Sequence, residues 1–128
     1  MTAPAEPVTD INEVTLRGRV HSHVHRKAGW GEGDRFEFDL AVRRPPRRGR
    51  PHEIDVVPVV VPATESLSDV VDDLVVGDPI DVRGTIRRRI TRTPTGSTHA
   101  IEVYASIVAR TPTAADAAAT TPEQRSNA

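Results

Sequence analysis

Branched aliphatic residues recur at every second position through much of the chain, and that period restricts the fold more than any other feature. Val14, Leu16, Gly18 and Val20 share one parity, while Thr15, Arg17, Arg19 and His21 take the other. Successive side chains of a strand point to opposite faces, so this is the pattern of a half-buried strand. The same split continues through Val24, with His23 and His25 opposite, and predicts a long first strand. Phe36, Phe38, Leu40 and Val42 make the inward row of a second strand, against Arg35, Glu37, Asp39 and Arg43. That parity assigns both phenylalanines to the core.

A third strand runs from Glu53 to Val61, more apolar and interrupted by Pro58. Proline lacks the ladder donor, which predicts a sheet edge or a bulge near it. ESLSDVVDDLVVGDP is the one convincing helix: Leu67, Val70, Val71 and Leu74 form a stripe, Thr64 or Ser66 caps its start, and Gly77 and Pro79 stop it. A fourth strand places Ile80, Val82, Gly84 and Ile86 inward, with Asp81, Arg83, Thr85, Arg87 and Arg89 outward. TRTPTGST turns the chain into a fifth, with Ile101, Val103, Ala105 and Ile107 on one face and Glu102, Tyr104 and Ser106 on the other. AGWGEGD reads as a glycine-rich turn, and RPPRRGRP as a stiff basic loop that its prolines keep from being helical. Three strands, a helix and two strands are the element order of an all-β, five-stranded OB-fold barrel with one short helix between strands 3 and 4. An open α+β sheet has the same elements, but alternation on every strand except the third favours closure.

The folded domain is expected over 11–110, with unstructured segments at 1–10 and 111–128, where Pro, Ala and Thr dominate without an apolar period. With 128 residues the chain has room for one core. The lack of cysteine excludes disulfides, thiolate metal sites and cysteine nucleophiles. Nothing resembles a membrane span or a signal peptide, so a cytoplasmic location is expected. Neither a phosphate-cradling GxxxxGK nor a nucleophile–base motif is present, which points to a binding module without enzyme activity, cofactor or small-molecule substrate. His21, His23 and His25 alternate as metal ligands on a strand do. Without a cysteine or carboxylate among them, a solvated or phosphate-facing row is the better reading, and no metal is expected.

The formal net charge of −1 conceals segregation. Ten basic residues lie between Arg17 and Arg50, every charge from Glu53 to Asp81 is acidic, and Arg83, Arg87, Arg88, Arg89 and Arg92 follow without an acid among them. Blocks of this kind can present one strongly positive face. Arginines that pair instead with carboxylates on neighbouring strands are the alternative.

Four segments resemble the bacterial single-stranded-DNA-binding protein family. NEVTLRGRV at Asn12–Val20 is similar to the family's opening strand, and FEFDLAVRR at Phe36–Arg44 to its second. LVVGDPIDVRGTIRRR at Leu74–Arg89 is similar to the segment entering its fourth strand, and IEVYASIVAR to its last. Together they cover nearly all of the ordered region. The third strand lacks the family's usual Trp and following Gly, and the chain ends in PEQRSNA where many members have an acidic, Phe-ended tip. A divergent paralogue or a phage or primosomal-type relative fits as well.

The resemblance implies largely sequence-independent binding of single-stranded DNA in replication, repair or recombination, by a homo-oligomer, dimer or tetramer. Candidate contacts are the outward residues Arg17, Arg19, His21, Arg35, Arg83, Arg87 and Arg89, together with Arg43, Arg44, Arg47, Arg48 and Arg50 in and beside the basic loop. In the barrel, strands 1 and 4 are neighbours, which brings two of these rows together. Trp30 and Tyr104 are the candidate base stackers. The alternative is an OB module that has lost DNA binding and serves oligomerisation or protein contact.

Overall fold

A computed structural model describes residues 8–29, 33–49 and 52–112. The elements are β1 (Val14–Val20), β2 (His25–Lys27), β3 (Arg35–Arg43), β4 (Ile54–Pro62), α1 (Glu65–Val71), β5 (Pro79–Thr93) and β6 (Gly96–Arg110). β1 pairs antiparallel with both β3 and β5; β3 pairs with β4, β4 runs parallel to β6, and β6 returns against β5. The five long strands therefore close as β1–β5–β6–β4–β3–β1, the OB-type barrel expected from the element order. Because β2 counts as a separate strand, the helix falls between β4 and β5 in this numbering, at the same place in the chain.

Closure makes one core from the inward rows. Val20, Phe36, Leu40, Val59, Val61, Ile80 and Val82 are each at most 2% exposed, with Phe38, Val103, Ala105 and Val108 close behind. Burying side chains of this size stabilises the fold by roughly 1.5–3 kcal/mol each. Glycine is required at two places where backbones meet. A Cβ on Gly18 would collide with the Ala41 carbonyl of β3, and one on Gly84 with the Tyr104 carbonyl of β6.

Several local expectations change. The first strand is not continuous: between the Val20↔Leu40 and His25↔Glu37 pairs, five steps on one strand face three on the other. Ser22 makes this break, since its hydroxyl accepts the Asp39 N–H (2.8 Å) while the His21 N–H bonds the Asp39 carbonyl (2.8 Å). Two extra residues preserve parity, so Arg26 lies on the Phe36 side, 5.4 Å above the ring.

The helix stops at Val71 rather than running on to Val76. The Asp78 carboxylate accepts the Val75 N–H (2.9 Å) and takes a donor that a longer helix would need. Leu74 is still buried, as its place in the stripe predicted. Pro58 sits in an unbroken register with β3, opposite Asp39. Asp39 turns its own N–H and carbonyl toward Ser22 and His21, so Pro58 directs its donorless nitrogen to the other edge of β4. Pairing with β6 begins there only at Val59.

β5 and β6 continue past the barrel as a hairpin, leaving only Pro94 and Thr95 of TRTPTGST between the strands. A bulge reverses the parity of β6: Arg83 faces Ile107 and Gly84 faces Ala105, which leaves Ser106 unmatched. Val108 thus points inward, and Ile107, expected in the core, is 51% exposed. Ile86 and Ile101 were also expected inside. They are 44% and 57% exposed because the hairpin carries their face beyond the barrel's end.

Candidate nucleic-acid interface

The register of β1 on β5 brings two outward rows side by side. Thr15 lies opposite Arg83, Arg17 opposite Asp81, and Arg19 opposite Pro79. On the other flank of β1, Arg19 faces Ala41, and Arg43 follows two residues later on β3. Arg17, Arg19 and Arg43 line a shallow groove of about 510 Å³, floored by Gly18 and Ala41. Next to it, Arg83, Arg87 and Tyr104 line a second groove of about 650 Å³, with Thr15, Thr85 and Ser106 between them. The two grooves make one strip over β1 and the adjoining parts of β3, β5 and β6. Five arginines and one carboxylate, Glu13, line the two grooves, while Asp81 stands opposite Arg17 and Glu102 opposite Arg87.

The arginines of the strip are not equivalent. Arg17 grips Asp81 with two prongs, Nε to Oδ1 at 2.7 Å and a terminal nitrogen to Oδ2 at 3.0 Å, and the Thr111 hydroxyl donates to the same carboxylate at 2.6 Å. These bonds, Arg17 first and Thr111 second, overcome the opposing effect of burial and hold the Asp81 carboxyl at about 2. Arg19 donates to the Gly77 carbonyl (3.1 Å). No carboxylate among the described residues is within ion-pair distance of Arg19, Arg43, Arg83 or Arg87. The Arg87 guanidinium lies over Tyr104, with Cζ 3.7 Å from the ring centroid. The tyrosine expected to offer an open face is therefore already covered.

Other candidates are drawn away from the strip. Arg89 lies in the outward row of β5 but reaches across the barrel's shear to Glu37 on β3 (2.6 Å), with Glu102 at 3.7 Å. Lys27 (2.9 Å) and Arg35 (3.7 Å) join it on Glu37. Burial would raise the Glu37 carboxyl, but its bonds to Lys27 and Arg89 outweigh that and hold it below its ordinary value. Opposite Glu37 on β4, Val60 is buried although it belongs to the outward row. Arg44 forks onto Asp55 (2.7 and 3.0 Å) and also bonds Glu53 (2.6 Å), while Arg47 lies 3.5 Å from Glu53. These contacts staple the basic loop to the start of β4. Arg48 is exposed on that loop, and His21 is exposed on the connection after β1. Trp30 and Arg50 lie outside the described residues, as do most of the terminal segments expected to be unstructured.

Two contributors were not singled out from the sequence. Asp81 was noted only as an outward residue, although its parity already set it on the arginine face. Asn12 acts as a splint: its side-chain amide donates to the Ile86 carbonyl and accepts the Ile86 N–H, both at 2.8 Å. It thereby extends the β1–β5 pairing at the mouth of the second groove. Only its place at the head of the first motif marked it.

No protein-family sequence model and no curated protein sequence matches the chain. Solved structures do match. The small single-stranded DNA-binding protein from Streptomyces coelicolor aligns over 77% of this chain and 93% of its own, with TM-score 0.60 and 20% identity. The Plasmodium falciparum SSB, solved in complex with ssDNA, covers 77% and 89% with TM-score 0.64 and 23% identity. The N-terminal domain of PriB from Thermoanaerobacter tencongensis, a dimeric structure, covers 80% and 98% with TM-score 0.57 and 22% identity. At such identities the likeness speaks for the backbone, and on that level the chain carries the OB-type barrel of SSB-like proteins.

Proposed function

We propose that the chain binds single-stranded DNA without strong sequence preference and without catalysis, in the cytoplasm, in the service of replication, repair or recombination. The observation that carries this reading is the arginine strip over β1 and β5, where no described carboxylate lies within ion-pair distance of Arg19, Arg43, Arg83 or Arg87. Guanidinium groups of this kind take phosphate oxygens in their fork geometry. The two grooves adjoin on the outer face of the paired strands β1 and β5. Three of the matched structures named above are of SSB or PriB proteins, one of them with ssDNA, which supports the same assignment. Assembly as a homo-oligomer, dimer or tetramer, belongs to the same proposal.

With few aromatic residues in the strip, phosphate contacts supply most of the affinity. Anisotropy of a labelled oligo-dT in a series of salt concentrations tests this. The logarithm of the binding constant is expected to fall linearly with the logarithm of salt, with a slope of about −0.7 per phosphate neutralised. Absence of binding, or binding indifferent to salt, contradicts the proposal.

One observation favours the other reading, a protein-contact module. Ile86, Ile90 and Ile101 stand 44%, 51% and 57% exposed on one face of the β5–β6 hairpin. Exposed apolar residues gathered on one face mark interaction surfaces. A chain that fails to bind oligo-dT and yet self-associates in sedimentation would support that reading instead.

A further inference from the structure

Tyr104 and Arg87 sit diagonally on the outer face of β6 and β5, and their stacking changes what each can do. Tyr104 pairs with Thr85, and Arg87 with Glu102, so the arginine reaches back two residue pairs along the sheet to lie on the ring. A separation of 3.7 Å between Cζ and the ring centroid is full planar contact, well inside the range of a cation–π pair. At that distance an edge-on approach would press a guanidinium nitrogen into the ring, so the group lies with one face on the tyrosine. Its other face is turned outward at an exposed position bordering the second groove. Glu102, its cross-strand neighbour, is instead engaged by Arg89 at 3.7 Å and leaves Arg87 without a carboxylate. Arg83 lies on the same groove two turns of the pleat away; its charge acts on Asp81, but no described carboxylate is within ion-pair distance of it.

A flat, immobilised guanidinium offers what a nucleobase stacks on. Arginine planes serve as stacking surfaces for unpaired bases in the same way as aromatic rings. Stacking on the ring leaves the in-plane N–H edge free for phosphate, so the feature particular to this arrangement is the guanidinium's second face. We infer that Arg87, backed by Tyr104, is a base-stacking platform, so that a three-layer stack of Tyr104, Arg87 and nucleobase anchors the strand while Arg83 takes a neighbouring phosphate. The inference rests on the single-strand binding proposed above and assigns to an arginine a role that aromatic rings commonly fill.

The experiment compares the unaltered chain with Arg87→Lys and Tyr104→Ala, using labelled oligo-dT and an abasic deoxyribose-phosphate oligomer of the same length. Lysine keeps the charge but loses the plane. Arg87→Lys is expected to weaken oligo-dT binding roughly tenfold with the salt slope unchanged, as loss of one stacked base predicts. On the abasic strand the same substitution should make no difference. Tyr104→Ala removes the backing ring and should weaken oligo-dT binding in the same way, with no change on the abasic strand; wild-type affinity for oligo-dT in this variant overturns the role of the ring. Arg87 is exposed, so its substitution leaves the barrel intact, which a melting curve verifies. If Arg87→Lys binds oligo-dT like the wild type, or loses equally on the abasic strand, the platform is refuted and Arg87 is a phosphate contact. If the wild-type chain itself does not bind oligo-dT, the single-strand reading falls and this inference with it.

Discussion

Arg17 and Asp81 meet across β1 and β5 in a two-pronged pair of 2.7 and 3.0 Å, within the strip that also carries Arg19, Arg43, Arg83 and Arg87. The pair serves the fold and works against the site. It joins two strands of the ring, and it withdraws one arginine from the strip by giving it an internal carboxylate.

Replacing Asp81 with Asn should therefore act in opposite directions on stability and binding. Arg17 is largely exposed, so the loss at neutral pH is expected to be about 1 kcal/mol or less. Asp81 titrates at about 2 in the fold against an ordinary 3.8. The unfolded chain thus takes up the proton first as pH falls, and the pair's contribution is complete above about pH 4 and lost toward pH 2. Urea melts of wild type and Asp81→Asn should converge over that window. At neutral pH the variant should bind oligo-dT more tightly, with a salt slope steeper by about 0.7, because Arg17 becomes available to phosphate.

Substituting arginines one at a time separates those free to bind from those already engaged. Arg19→Gln, Arg43→Gln and Arg83→Gln should each weaken oligo-dT binding and flatten the salt slope by about 0.7. Arg44→Gln is the contrast, because its guanidinium is spent on Asp55 and Glu53. It should leave the slope unchanged while loosening the loop. Equal slopes for all four variants would refute the distinction.

At Gly84 the sheet has no room for a methyl group. A Cβ there would lie 2.8 Å from the Ala105 Cα and closer still to the Tyr104 carbonyl, both backbone atoms that no rotamer change removes. Gly84→Ala is expected to lower the stability by about 1–3 kcal/mol, read as a shift of the urea midpoint with the m-value retained.

The Asn12 splint should show in hydrogen exchange. Asn12→Ala removes both 2.8 Å bonds to Ile86. A destabilisation of about 1–2 kcal/mol is expected, with faster exchange of the Ile86 amide and its hairpin neighbours. Exchange at Leu40 and Val82, in the barrel's core, should change less.

The barrel was legible because its rows are set by parity, which the sequence displays directly. Phe36, Phe38 and Leu40 fall inside as their alternation with Arg35, Glu37 and Asp39 requires. Parity fails where one residue is added. The bulge at Ser106 reverses the rest of β6, exposes Ile107 and buries Val108, and nothing at Ser106 announces it. The site was legible in the same measure. The nearness of Arg17, Arg19 and Arg83 follows from the pairing of neighbouring strands, and the structure bears it out. Arg89 shares that row and is still lost from it, because its partner Glu37 becomes a neighbour only through closure and shear of the whole barrel. The covering of Tyr104 by Arg87 depends on a diagonal side-chain contact that no one-dimensional pattern encodes.

Single-stranded DNA bound along the arginine strip, as proposed, would touch β1, β5 and the end of β3 and leave α1 bare. Backbone amide shifts of the isotope-labelled chain, followed during titration with oligo-dT, test it most directly. The account predicts the largest changes at Thr15–Arg19 of β1, at Arg83–Arg87 of β5, at Tyr104 and at Arg43, with little change along α1. Shifts gathered instead on the helix, or on the Ile90 and Ile101 face of the hairpin, with β1 and Arg83 silent, would contradict it.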